Sequence, residues 1–220
     1  METLEEVRAK ITYEIESDDA EIREEYLRHF KPNIEKFVNA MGHAFQEWRT
    51  LDNNIKNDEK RAYVSGLVHT SITLHLLSMK LFVSGHTVAA GNLMRQVLES
   101  ISIALLCAGK NLGVLEQFMA GTYRANNAIR DVTKHSKNLM LKEDGVQDIT
   151  NSQKFYHQYS HPSLLTMAVG ISWSGKGLYV GASFDEEKLE AYAKEIDSRV
   201  GLAEVFVSFI QAVKANLNKW

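Results

Sequence analysis

The chain is poor in cysteine and proline, with one and two of them in 220 residues. A single thiol excludes a disulfide scaffold within one chain. Cys107 sits in an apolar run and reads as a small buried hydrophobe. So few prolines leave room for long helices. Positive charge is not in excess either: the formal net charge is −3. An overall field attracting nucleic acid is therefore missing, although a local basic patch remains open. There is no GxxxxGK[ST] loop, GxGxxG fingerprint, GxSxG elbow or HExxH helix, which disfavours the familiar nucleotide, hydrolase and zinc-protease designs. The ExxH pairs of a ferritin-like di-iron centre are also lacking. Trp48, Trp173 and Trp220 are dispersed and make no base-stacking platform. The segment METLEEVRAK is charged and carries no secretory apolar region. The longest apolar region is interrupted by Arg95, Gln96 and Glu99, which argues against a membrane span. The expectation is a cytoplasmic protein with no membrane partner and no resident cofactor.

What is present is ordinary core material: 45% hydrophobic and 24% charged residues. The chain reads as a single, mainly α domain over residues 1–220: an antiparallel helical bundle with a small β-hairpin before its C-terminal helix. Leu4, Val7, Ile11 and Ile15 mark a first amphipathic helix. A second starts near Asp18 and uses Ile22, Tyr26 and Phe30, and Pro32 opens the next at a first helical turn. Residues 53–58 read as a connection, followed by a helix to about Phe82. The Ser84-Gly85-His86 turn leads into a helix ending near Gly109. Another is expected from about Leu112 through Tyr123 and Ile129 toward His135. Residues 134–151 are polar and read as a loop. Met167, Val169, Ile171 and Trp173 alternate, as do Leu178, Val180 and Ala182. With Ser174-Gly175-Lys176-Gly177 between them, they predict a hairpin at about 166–183. Ser183 and Glu186 resemble a capping box before a last helix through Leu189, Ile196, Ala203 and Ile210.

Three constellations carry candidate chemistry. The first is Arg95 and Glu99, four residues apart in GNLMRQVLESISIALLCAG. On a helix they lie about 40° apart among apolar neighbours, so a buried pair must be mutually satisfied. A structural lock, a ligand or catalytic site and a surface ion pair all remain open. The second is FYHQYSHPS, with Tyr156, His157, Ser160, His161 and Ser163. Its serines and His161 suit a helix cap or bonds across the core. His157 and His161, spaced i,i+4, could join Glu99 as a His₂Glu metal set. The third is Arg130 and His135, which could serve RNA cleavage, histidine moving protons and arginine stabilising charge on the transferring phosphate. A solvated helix end is the competing reading, since Lys134, His135 and Lys137 suit a helix C-terminus.

Arg95-Gln-Val-Leu-Glu99 together with Tyr156-His-Gln-Tyr-Ser160-His161-Pro-Ser163 resembles the DUF5677-type bacterial helical proteins over roughly residues 60–170. That family is similar to the wider HEPN group of helical bundles, several of which dimerise and some of which cut RNA. The resemblance implies a helical fold and a homodimer with a protein or RNA partner. It implies a non-catalytic interaction or stress-response role more than a nuclease one. Arg130-Asp131 and His135 agree with the local nuclease pattern, but they precede the Ser160-His161 segment.

Overall fold

The computed structural model describes residues 2–175 and 177–220. The protein is a mainly α-helical bundle with a small two-stranded hairpin before its last long helix. Its helices are α1 (Leu4–Glu16), α2 (Ala20–Asn53), α3 (Glu59–Val83), α4 (Thr87–Ala108), α5 (Val114–Met119), α6 (Ala128–His135), α7 (Glu143–Tyr156), α8 (Leu164–Gly170) and α9 (Leu189–Leu217). Strands β1 (Ile171–Ser172) and β2 (Gly177–Leu178) lie between α8 and α9.

Helix α4 is the centre. Its second half, Ile101 to Ala108, is buried on every side, while Ala89 and Gln96 of its first half are exposed. Val97, Ala104, Leu106 and Ala108 are wholly buried among α3, α6, α7 and α9. Helices α3 and α9 pack against it and α2 packs in turn on α3 and α9, through Tyr26, Phe37, Val68, Phe82, Ile196, Phe206 and Ile210. Each such side chain contributes roughly 1.5–3 kcal/mol on leaving water. The C-terminus is tied back to this centre: Trp220 Nε1 donates to the Ala108 carbonyl at 2.9 Å, satisfying one of the free carbonyls at the end of α4. Helices α3 and α9 are each long and apolar enough to cross a membrane by length and composition, and each is partly buried inside the bundle.

Pro32 lies in a first helical turn, as expected: α2 is broken by a kink at Phe30 (φ −123°, ψ 15°), and Pro32 follows two residues later, where its missing N–H costs no helical bond. Other boundaries differ from the sequence expectations, each for a local reason. The helix expected from Leu112 to His135 is broken into α5 and α6, because Gly121 turns the chain at φ +69°. The polar segment 134–151 is not a continuous loop: α7 starts at Glu143, whose acidic first turn suits the helix dipole, and buries Val146.

The hairpin is smaller than expected. Met167 and Val169 belong to α8, whose N-cap Ser163 forms a reciprocal capping box with Thr166. Only Ile171 with Leu178 and Ser172 with Gly177 pair as strands. Lys176, in the expected turn, lies outside the described residues. Asp185 rather than Ser183 caps the next turn, accepting from Glu187 N at 3.1 Å and from Trp173 N at 2.8 Å. Lys188 Nζ donates to the carbonyls of Ala168 and Val169 at 3.1 and 2.8 Å, closing the end of α8. So short a hairpin survives because these groups pin it to the bundle.

Helix α1 stands apart. None of its residues is buried, and its tie to the body is the Glu14 carboxylate accepting from Ala182 N at 2.8 Å. Deleting residues 2–16 is therefore expected to lower the melting temperature by no more than about 4 °C, the effect of roughly 1 kcal/mol in a chain of this size. A calorimetric scan checks this, and a larger loss would mean that α1 packs on the core.

Candidate functional site

The buried charge of this protein lies on α9, not on α4. Glu195 and Arg199 share the i,i+4 spacing that brings both to one helix face. Their side chains are 8% and 0% exposed, and Arg199 Nη1 donates to Glu195 Oε2 at 2.6 Å. Both carboxylate oxygens have further donors. Tyr156 OH bonds Oε2 at 3.2 Å, and Tyr159 OH bonds Oε1 at 2.7 Å. The guanidinium also donates from Nη1 to the Glu195 carbonyl at 2.9 Å and from Nε to Ser78 Oγ at 3.3 Å. Ser78 in turn donates to the Ala90 carbonyl at 2.9 Å. The Phe82 ring lies 4.5 Å from the guanidinium carbon, covering its flat face. Burial raises both tyrosines well above the ordinary phenol range, so they remain protonated donors to the carboxylate.

This cluster joins the parts of the chain that carry little packing of their own. Tyr156 ends α7, and Tyr159 sits in the 3-10 turn His157–Ser160. Ser78 comes from α3 and Ala90 from α4. Gly91 makes room for it: a Cβ there would fall inside the Tyr159 ring. The absence of a side chain at Gly91 lets Tyr159 lie on α4 with its hydroxyl aimed at Glu195.

His75 completes the interior polar set. It is fully buried, stacked on Phe206 at 5.4 Å and edge-on to Phe37 at 4.9 Å. Its Nε2 lies 3.0 Å from the Arg199 carbonyl, which only accepts, so Nε2 carries the proton. Burial, with Arg199 adding repulsion, pushes the imidazole down to about 3 and keeps it neutral.

The sequence candidates are distributed as follows. Arg95 and Glu99 do pair, Nε to Oε1 at 2.9 Å, but with side chains 21% and 14% exposed they sit at the edge of the bundle. Neither is hydrogen-bonded to Ser160 or His161. Tyr156 belongs to the buried cluster. Ser160 Oγ is buried without a partner, Ser163 caps α8, and His161 is exposed. His157 and His161 meet edge to face at 4.7 Å. Among the described residues no three His, Cys, Asp or Glu side chains are grouped to hold a metal, so Glu99 does not complete a set with these histidines. Arg130 is exposed and bonds its neighbour Asp131 at 3.3 Å, while His135 lies in the last turn of α6. Cys107 is buried, and burial pushes its thiol up to about 12, leaving an inert thiol.

Glu195 and Arg199 were not singled out from sequence, although their spacing is that of Arg95 and Glu99. The available signal was position: both fall on the apolar stripe of the last helix, between Tyr192, Ile196 and Val200. Comparison of the chain with family models, with curated proteins and with solved structures finds no match.

Two outcomes test this account of the interior. Arg199→Met or Glu195→Leu alone strands a buried charge and is expected to cost about 3–5 kcal/mol. The double variant costs less than the sum, and urea titrations of all four proteins measure the coupling. Gly91→Ala is expected to destabilise, although alanine favours a helix interior by roughly 1 kcal/mol. A rise in urea midpoint would show that Tyr159 does not need that space.

A third outcome concerns pH. The unfolded imidazole titrates near 6.5 and the folded one near 3, so the unfolded chain binds the extra proton between them. Stability contributed by neutral His75 is therefore present above pH 6.5 and lost as pH falls, by about 3 kcal/mol at pH 4.5. His75→Phe should flatten that part of the stability profile, and an unchanged slope would contradict it.

Proposed function

We propose that this chain is a non-catalytic helical protein that acts through its surface, as a homodimer in an interaction or stress-response system. The observation that supports this reading is the closure of the charged centre. Both Glu195 oxygens are occupied by Arg199, Tyr156 and Tyr159, and Phe82 lies on the guanidinium. These groups stabilise one another inside the bundle, and Arg199 Nη2 is buried with no hydrogen-bond partner among the described residues. The surface, by contrast, carries large apolar side chains that the bundle does not cover. Leu4, Ile11 and Ile15 on α1, Leu164 and Met167 on α8 and Leu76 and Leu77 on α3 are all exposed. Exposed apolar side chains side by side on one helix, as Leu76 and Leu77 are on α3, offer a surface for association. The stress-response part of the proposal rests on the resemblance to DUF5677-type proteins alone.

The competing ribonuclease reading places its chemistry on α6. There the Arg130 guanidinium is engaged by Asp131, which Tyr123 OH also bonds at 3.0 Å. Sedimentation equilibrium across a concentration series is expected to find a species of twice the 24.9 kDa chain mass. A monomer throughout would overturn the homodimer. Purified protein is expected to leave RNA intact, and RNA turnover that disappears in His135→Ala would replace this reading with the nuclease one.

A further inference from the structure

Helix α3 is uncharged between its ends but is buried on one side only. Residues 62–79 contain no Asp, Glu, Lys or Arg. One face, with Val64, Val68, Ile72, His75 and Phe82, is in the core. The opposite face is exposed and runs Glu59, Tyr63, Gly66, Thr70, Thr73, Leu77 and Lys80. Tyr63, Leu76 and Leu77 are 42%, 45% and 40% exposed. A water-facing stripe of a soluble helix is ordinarily charged or polar; here its polar members are His69, Thr70 and Thr73. This one is uncharged for nearly its whole length and carries one charge of each sign at its ends.

We propose that this face of α3 pairs with the same face of a second copy, antiparallel about a twofold axis between His69 and Thr70. The inference rests on the homodimer reading and names its surface. The end charges argue for it. In an antiparallel pair, residues whose numbers sum to 139 face each other, so Glu59 of each copy meets Lys80 of the other. The span between those ends is about 32 Å at the helical rise. Self-complementarity of this kind is what a twofold interface requires. A parallel pairing would set Glu59 against Glu59 and Lys80 against Lys80.

Shape supports the same register. Beside α3 runs a groove of ≈ 460 Å³ lined by Ala62, Tyr63, Gly66, Leu67, Thr70 and Phe118 of α5. The antiparallel register sets the second copy's Leu77 opposite Ala62 and its Leu76 opposite Tyr63, both on the wall of this groove, and symmetry repeats the contacts at the other end. At Gly66 a Cβ would meet nothing within 4 Å, so nothing in this chain requires glycine there. The uncovered glycine leaves this point of the face open to close approach by a neighbouring helix. A single helix pair with its flanks lies near the low end of stable interfaces, around 1,200 Å² in total, so the dimer is expected to dissociate on dilution.

The test is sedimentation equilibrium of the full chain and four variants, each first checked for an unchanged melting temperature below the dimerisation range. Gly66→Glu places two like charges near the axis and is expected to raise the dimer dissociation constant at least a hundredfold. Glu59→Lys and Lys80→Glu each turn two attractive contacts repulsive and are expected to raise it about tenfold. The double variant Glu59→Lys/Lys80→Glu restores it to within about threefold, which only the antiparallel register predicts. A dimer indifferent to Gly66→Glu and to both reversals would overturn the α3 surface while leaving the homodimer reading intact. A monomer at every concentration would overturn both. A wild type that stays monomeric in buffer and floats with phosphatidylcholine vesicles would assign the face to lipid instead.

Discussion

The constraint on which the rest of the structure depends is the need to neutralise Arg199 in a place water does not reach. A guanidinium held at 0% exposure must have an anion and donors' acceptors arranged around it. Glu195 supplies the anion from one turn earlier on the same helix. Two charges alone would not close the balance, because the carboxylate would keep unused lone pairs in a low-dielectric interior. Tyr156 and Tyr159 fill those lone pairs. Ser78 then relays Arg199 to the backbone of α4. A pair on one helix thus dictates the positions of a tyrosine on α7, a tyrosine in the following turn and a serine on α3.

That dependence explains how a weakly apolar stretch holds its place. Helix α7 buries only Val146 and Tyr156, too little to fix a helix by area alone. The next turn buries Tyr159 and little else. Their hydroxyls give the segment a defined seat, and Gly91 gives the Tyr159 ring the space to reach it. Net stabilisation by such a network is small against a well-packed apolar equivalent. Its effect lies in excluding other seatings of α7, because any displacement leaves donors and acceptors unpaired in the interior.

The fold was legible in the sequence where apolar spacing is regular and long. Residues 59–83, 87–108 and 189–217 were placed within a few positions, because a stripe recurring over many turns has one interpretation. It was illegible where a single residue reset the backbone. Gly121 broke an apparently continuous pattern, and the alternation at Met167, Val169 and Ile171 was carried by a short helix and then a strand. The site was legible in type but not in place. An i,i+4 ion pair in an apolar helix was the right motif, and Arg95 with Glu99 does form one. Spacing alone cannot say which of two such pairs faces the interior, since that is set by what packs on the helix: α3 and the α7 tyrosines for Glu195–Arg199, partial solvent for Arg95–Glu99. Gly91 was invisible for the same reason, its role being defined by a ring from 68 positions later.

The two long helices of the outer layer meet the same demand differently. Helix α9 buries its charges and covers them, and its outward residues include Lys194, Asp197 and Glu204, which water stabilises. Helix α3 has no charge between its ends to present to water, and His69, Thr70 and Thr73 are the polar side chains of its exposed side between Ala62 and Leu77. The polar interior and the uncharged exterior are therefore two sides of the same distribution: charge has been placed at the centre, where it specifies how the helices meet, and withheld from a surface helix, where Tyr63, Leu76 and Leu77 remain exposed.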